Sequence, residues 1–263
     1  MNEIDALLLG IIQGLTEFLP VSSSGHIELG KEILGSELIN GQNLLFTIIL
    51  HFATALSTII VFREDIIKLI TKSFSSDIND QKKFLFFIAL SMIPAVVIGL
   101  FFEEELEELF SGNIFLVGFM LIITGFLLFS TTIFKNNTKR LTSKTSILIG
   151  ISQAIAMLPG ISRSGATISV SLLLGINKNE AAKFSFLMVI PLIFGKIIKD
   201  FFNEEIIYSN VDLNVFFVGF TSAFITGIIA CKWMLKLVKN NKLKYFAYYC
   251  FIIGSIAITS YLI

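Results

Sequence analysis

Two short polar stretches hold the residues of this chain that could do chemistry. The first, GIIQGLTEFLPVSSSGH (Gly10 to His26), carries Gln13 and Glu17 four apart, then Pro20, then Ser22, Ser23, Ser24, Gly25 and His26. A spacing of four sets Gln13 and Glu17 about one helical turn apart on one face. The second, GISQAIAMLPGISRSGA (Gly150 to Ala166), presents Pro159, Gly160, Ser162, Arg163, Ser164 and Gly165 and is followed by Thr167. An arginine flanked by hydroxyls, with glycine letting backbone N–H groups approach an anion, makes a phosphate cradle, because guanidinium grips oxyanions through a planar fork. Helices starting after each break, near Ser24 and Ser164, would aim positive dipole ends at the same ligand. Structural alternatives stand beside these readings. Ser22 to Ser24 could cap a short helix, Glu17 could hold His26 in a hydrogen bond, and Glu17 could pair with Arg163 to lock the two stretches together.

The rest of the chain makes these polar groups costly. Hydrophobic residues form 54% of it, with 27 Phe and only 15% charged residues, and the mean hydropathy is +0.82. That is the composition of an integral membrane protein. No long polar or low-complexity segment leaves room for a soluble domain, so residues 1–263 read as one membrane domain. A carboxylate and an imidazole at membrane depth are expensive, which makes function the default reading for Glu17 and His26. Acidic Glu3 and Asp5, not a basic segment, precede the first apolar run, so a cleaved signal peptide is not expected.

Apolar stretches near 20 residues predict six spans, at about 43–62, 84–102, 113–134, 182–201, 213–235 and 245–263. The polar stretches with their flanks, at about 4–35 and 144–175, are instead short apolar runs around a Pro-containing break. Such breaks persist at membrane depth only where the freed backbone groups are buried in protein or face a water-filled cavity, which predicts two re-entrant helical hairpins. The two stretches are also related. Offset by 140 residues, Gly10, Ile11, Gln13, Ser22, Ser24 and Gly25 coincide with Gly150, Ile151, Gln153, Ser162, Ser164 and Gly165.

The expected fold is an all-α membrane protein of six transmembrane helices plus the two hairpins. Repeat 1 covers about 1–135 and repeat 2 about 144–263. A hairpin returns to its own side, so three spans later the second enters from the opposite side and the halves form an inverted-topology repeat. This arrangement gathers sixteen of the 20 Lys and Arg on one face, within 63–83, 135–144, 178–183 and 232–244, while Arg163 stays in the second break. That face is cytoplasmic by the positive-inside rule, and both termini lie outside.

Other residues carry weaker signals. Glu103, Glu104, Glu105, Glu107 and Glu108 read as a solvated helix end, with cation capture as the alternative. Asp65, Asp77, Asp80 and Glu180 read as partners for the cytoplasmic lysines, and His51 as a hydrogen-bonded packing residue in an apolar run, with a place facing the cavity as the alternative. Cys231 and Cys250 lack a second ligand at metal spacing and read as buried thiols. Gly195, Gly219, Gly227 and Gly254 read as helix contacts.

GLTEFLPVSSSGH and LPGISRSGAT closely resemble the two signature regions of the bacterial undecaprenyl-diphosphate phosphatase family, also called bacitracin-resistance proteins. The similarity runs through the whole chain in length, helix pattern and motif order. The resemblance implies hydrolysis of undecaprenyl diphosphate to the monophosphate and inorganic phosphate with a divalent cation, Mg²⁺ or Ca²⁺. It implies recycling of the lipid carrier for peptidoglycan synthesis, bacitracin resistance, and a multi-pass protein of the bacterial cytoplasmic (inner) membrane whose site opens to the periplasmic side. Carried over by residue, the acidic motif falls on Gln13 and Glu17, the candidate nucleophile region on Ser22 and Ser23, the histidine on His26, and the phosphate-binding arginine on Arg163 with Ser162, Ser164 and Thr167 beside it. Many members have Glu where this chain has Gln13, so Glu17 is the motif's one carboxylate.

The implied mechanism is phosphoryl transfer. Ser23, or alternatively a water, attacks the terminal phosphorus while His26 or Glu17 takes its proton. Arg163 and the metal neutralise the transferring oxygens, and Glu17 is the metal-ligand candidate because hard cations prefer carboxylate oxygen. Gln13, Ser22, Ser24, Ser162, Ser164 and Thr167 are the substrate-binding candidates. The expected partners are the prenyl diphosphate lipid and membrane lipid, with no nucleic acid; a homodimer is left open. An inverted-repeat transporter or flippase for a prenyl phosphate lipid is the alternative, since such a cradle could bind cargo without cleaving it.

Overall fold

The computed structural model describes residues 1–34, 42–74, 79–102, 105, 109, 113–133, 138–202 and 212–262. Among these, secondary structure is helical apart from one isolated parallel bridge between Lys139 and Ile176. Helix α1 (Glu3–Thr16) opens on a capping box in which Asp5 N–H donates to Asn2 at 2.9 Å and Asn2 N–H to Asp5 at 3.1 Å. It ends just before Pro20, and α2 (Ser23–Leu34) restarts one residue ahead of the expected Ser24. The second polar stretch repeats the design. Helix α7 (Ser143–Ile155) opens on a Thr142–Thr145 capping box and stops before Pro159, and α8 (Arg163–Leu173) starts from the N-cap Ser162.

The apolar stretches between and after these breaks are helical too. They form α3 (Gln42–Val61), α5 (Asp80–Phe101), α6 (Ile114–Ser130), α9 (Lys178–Phe202), α10 (Leu213–Lys239) and α11 (Lys244–Leu262). Asp80–Phe101, Lys178–Lys199 and Leu213–Lys239 are each long and apolar enough to cross a membrane. The stretch expected as a single span at 43–62 continues past a 75° bend into α4 (Arg63–Ser73). The apolar run stops at Arg63, Glu64 and Asp65, and the acids settle in the first turn of α4, where the helix dipole favours them. In α4 Leu69 is buried while Ile67 and Ile70 are exposed. Counted with its bend, the pair is a fourth candidate span, and α6 is a shorter apolar helix.

Close backbone approach locks α1 and α7 to helices of the opposite half of the chain. A Cβ on Gly10 of α1 would lie 2.5 Å from the Gly219 carbonyl of α10, and one on Gly150 of α7 would lie 2.3 Å from the Ser91 carbonyl of α5. Gly118 of α6 and Gly254 of α11 face each other in the same way. Small residues let helices pack this closely where lipid offers no hydrophobic drive to associate. The expected contacts of Gly219, Gly227 and Gly254 are present, but Gly195 faces open space, so it is no helix contact. Cys231 and Cys250 are buried. Outward faces carry Phe86, Ile93, Phe119, Phe126, Phe217, Ile225, Ile229, Ile252 and Ile256, all exposed, as lipid-facing positions require.

Polar contacts tie together segments expected on one membrane face. Lys183 Nζ bonds Asp65 at 2.6 Å, Arg140 approaches Asp80 at 3.8 Å, and Lys139 N–H donates to the Gly175 carbonyl at 2.9 Å. Residues expected at the other face also meet, with Lys199 Nζ donating to the Gly99 carbonyl at 3.4 Å. Glu105 is exposed; Glu103, Glu104, Glu107, Glu108 and Asp77 lie outside the described residues.

Candidate active site

The two breaks meet at Glu17, just past the last turn of α1. Gln13, one turn earlier, donates from Nε2 to Glu17 Oε2 at 3.0 Å, and the hydroxyl of Ser23, first residue of α2, donates to the same oxygen at 2.9 Å. The other oxygen, Oε1, is bound by the guanidinium of Arg163 at the start of α8. Arg163 also donates to the Ser185 carbonyl of α9 at 3.4 Å. The Glu17 side chain is 7% exposed and that of Arg163 17%. A carboxylate this buried needs such donors to stay ionised. A further group faces it: His51 of α3 places Nε2 3.9 Å from Glu17 Oε2 while its Nδ1 donates to the Thr47 carbonyl at 2.8 Å.

The breaks share their local chemistry at repeat-matched positions. Ser22 Oγ accepts from Gly25 N–H at 3.3 Å, and Ser162 Oγ from Gly165 N–H at 3.1 Å. The hydroxyls of Ser22 and Ser24 lie 3.4 Å apart, and those of Ser162 and Ser164 3.3 Å. Each break contains one left-handed residue, Ser22 with φ 69° in the first and Gly160 with φ 92° in the second. Glycine adopts that region freely, whereas a serine there is strained by about 1–3 kcal/mol and must be held. His26 holds it, donating from Nδ1 to the Ser22 carbonyl at 2.8 Å. In the second break Thr124 of α6 takes the freed backbone groups: its hydroxyl donates to the Gly160 carbonyl at 3.2 Å and accepts from Ser162 N–H at 3.1 Å.

The structure thus brings Gln13, Glu17, Ser23 and Arg163 into contact, and gives the other candidates supporting positions. Ser22, Ser24 and Ser162 build the turns, Ser164 Oγ donates to the Leu19 carbonyl at 3.4 Å, and Thr167 Oγ1 lies 2.6 Å from Ser185 Oγ. Both ring nitrogens of His26 are engaged away from Glu17 and Ser23, one by Ser22 and the other by the Tyr249 hydroxyl of α11 at 2.8 Å. Sequence reasoning passed over Thr124, Ser185 and Tyr249, and set His51 aside as packing. The available signal was a lone polar side chain in each of the apolar runs carrying Thr124 and Ser185, and the one ionisable side chain in the run carrying His51.

Oxygen donors are available for a hard cation. Gln13 Oε1 is buried with no hydrogen-bond partner, and its side chain touches the Glu17 carboxylate. Among the described residues no three of His, Cys, Asp and Glu cluster. One carboxylate and one amide oxygen fit a Mg²⁺-type site that completes its shell with water and substrate phosphates. Taken together, a hydroxyl hydrogen-bonded to a buried carboxylate, with an arginine on that carboxylate's other side, can activate an oxygen nucleophile and neutralise an oxyanion.

Relatives are similar to this chain over nearly its whole length. An undecaprenyl-diphosphatase of Christiangramia forsetii is 55% identical over 258 residues, covering 98% of each chain. One from Bacteroides fragilis is 43% identical, again over 98% of each. One from Methanobrevibacter smithii is 37% identical over 97% of this chain and 96% of its own. The family described as bacitracin resistance protein BacA matches residues 6–256, and this multi-pass membrane chain belongs to it.

Proposed function

We propose that this chain hydrolyses undecaprenyl diphosphate to undecaprenyl phosphate and inorganic phosphate, recycling the lipid carrier for peptidoglycan synthesis and giving bacitracin resistance. The observation that carries the reading is the convergence of Ser23, Gln13 and Arg163 on the Glu17 carboxylate. The undecaprenyl-diphosphatase relatives support the same substrate.

Ser23 Oγ attacks the terminal phosphorus, and its proton passes to Glu17 Oε2, the oxygen it already touches at 2.9 Å. The bond to the bridging oxygen breaks and undecaprenyl phosphate leaves. Water then attacks the phosphoserine, the bond from phosphorus to Ser23 Oγ breaks, Ser23 takes its proton back from Glu17, and the water and phosphoryl group leave as dihydrogen phosphate. Arg163 turns its fork to the phosphoryl oxygens, which stabilises their charge and leaves Glu17 free to hold the hydroxyl proton. His26 keeps the Ser22 turn closed, so Ser23 stays aimed at Glu17. A Mg²⁺ or Ca²⁺ ion held by Glu17 and Gln13 Oε1 would neutralise charge on the transferring oxygens.

The chain sits in the cytoplasmic membrane as six spans and two re-entrant hairpins in an inverted repeat, with the site opening outward. The lysine and arginine distribution supports this orientation. So do the Lys183–Asp65 and Arg140–Asp80 contacts between segments assigned to the cytoplasmic face.

The test is phosphate release from undecaprenyl diphosphate by detergent-purified protein, with and without Mg²⁺ or Ca²⁺. Hydrolysis needs no second compartment, so release in detergent supports the phosphatase. Binding without release, together with lipid movement across vesicles, would replace this reading with a carrier.

A further inference from the structure

We infer that Tyr249 is a positioning residue that fixes the orientation of His26 and, through it, the aim of Ser23. The inference rests on the reading of Ser23 and Glu17 as the phosphatase site. Tyr249 lies on α11, far along the chain from the hairpin breaks, and its hydroxyl is 2.8 Å from His26 Nε2. The two rings stack with centroids 5.6 Å apart and planes inclined by 16°. The adjacent Cys250 Sγ donates to the Pro20 carbonyl at 3.7 Å, so two consecutive residues of α11 hold the first break.

The hydrogen-bond directions are set by the partners. A carbonyl oxygen accepts and never donates, so the 2.8 Å contact with Ser22 requires a proton on His26 Nδ1. In the neutral ring Nε2 is then bare, and the Tyr249 hydroxyl donates to it. If the proton sat on Nε2 instead, bare Nδ1 would face the Ser22 carbonyl lone pairs. The Ser22 carbonyl therefore sets the neutral form, and the Tyr249 hydroxyl, able to donate or accept, satisfies the bare Nε2 and pins the ring in the orientation that grips Ser22. Ser22 is the strained residue of this break, with φ 69°. The next residue, Ser23, donates to Glu17 at 2.9 Å. The chain of contacts runs from Tyr249 to His26, to the Ser22 carbonyl, and so to the direction of the Ser23 hydroxyl. His26 is thus occupied at both nitrogens as the pin of the turn.

The test uses Tyr249→Phe, which keeps the ring stacked on His26 and removes one hydroxyl. The chain has only two histidines, so nitrogen NMR of histidine-labelled protein in detergent shows two imidazoles, and a His51→Gln sample assigns the remaining one to His26. In the native chain His26 should show a protonated Nδ1 and a bare, hydrogen-bonded Nε2. In Tyr249→Phe the Nε2 resonance should move, and kcat for undecaprenyl diphosphate should fall about tenfold, the effect of one net hydrogen bond, with KM changed less than about twofold. His26 resonances identical in the two proteins, or a native His26 protonated at Nε2, would overturn the inference. So would a moved resonance with native kcat. If neither protein releases phosphate, the phosphatase reading fails instead, and the nitrogen resonances still decide whether Tyr249 holds His26 at Nε2.

Discussion

Arg163→Ala separates the structural work of the central ion pair from its chemical work. The substitution removes both the pairing with Glu17 Oε1 and the bond to the Ser185 carbonyl. Glu17, 7% exposed, keeps Gln13 Nε2 at 3.0 Å and Ser23 Oγ at 2.9 Å, with His51 Nε2 at 3.9 Å. Removing one partner of a buried pair costs about 3–5 kcal/mol because the other charge is stranded. The two surviving donors and the imidazole offset part of this, so we expect a loss of about 2–3 kcal/mol. Activity should fall further, with kcat/KM lower by about 10² or more, as when one preorganised oxyanion donor is lost. Arg163→Lys should recover it only in part, since an ammonium lacks the fork. Adding Glu17→Gln to Arg163→Ala removes the stranded charge at nearly constant volume. That double variant should return to within about 1 kcal/mol of native stability while remaining inactive. The assays are denaturant unfolding in detergent and phosphate release from undecaprenyl diphosphate. Near-native turnover of Arg163→Ala, or a double variant no more stable than the single, would refute the reasoning.

Ser23→Ala should match Arg163→Ala with a loss of about 10² or more in kcat/KM, whereas a loss under about tenfold in phosphate release would assign the attack to water. Thr124→Val strands the Gly160 carbonyl and Ser162 N–H and should cost about 2–3 kcal/mol in denaturant unfolding, with Thr124→Ser near native; equal stability of the two would refute the bridging role. Gly150→Ala puts a Cβ 2.3 Å from the Ser91 carbonyl and should destabilise by about 1–3 kcal/mol in the same assay, an effect absent if the helices can part without cost. Cysteines introduced at Asn2 and Lys82 should label from opposite sides of the cytoplasmic membrane, and same-side labelling would sink the hairpin arrangement.

The features legible in the sequence obey local rules. Apolar length marked the helices, and Pro20 and Pro159 marked the breaks, because both signals sit within a few neighbouring residues. The Glu17–Arg163 contact was open to sequence as one of two readings, since ionisable groups in so apolar a chain must find company. Helix α4 was missed because a window seeking 20 apolar residues treats the residues after Phe62 as loop, while Ile66, Ile67, Leu69 and Ile70 continue a helix in a new direction. Thr124, Ser185, His51 and Tyr249 were missed for another reason. Each serves a break far away in sequence, and no periodicity in its own helix reports which distant carbonyl or carboxylate it meets.

The similarity of the two breaks bears on why the candidate site draws on both halves of the chain. The offset that superposes the breaks sets Ser23 on Arg163, Glu17 on Met157 and His26 on Ala166. Ser22 and Ser162 kept one job, each accepting the N–H of a glycine three residues on. The next position diverged: in one half it presents a hydroxyl, in the other a guanidinium, and both reach the same carboxylate, Ser23 at Oε2 and Arg163 at Oε1. Two similar breaks, differing in which residue is left-handed, bring the two matched positions to a single carboxylate. A nucleophile and a cation are what phosphoryl transfer needs on either side of a carboxylate that can take a proton. Had the halves stayed identical, either two serines would face an uncompensated Glu17 or two arginines would lack a nucleophile. The asymmetry at this one matched pair, with Glu17 the one carboxylate between them, is what gives the proposed reaction centre both its hydroxyl and its cation.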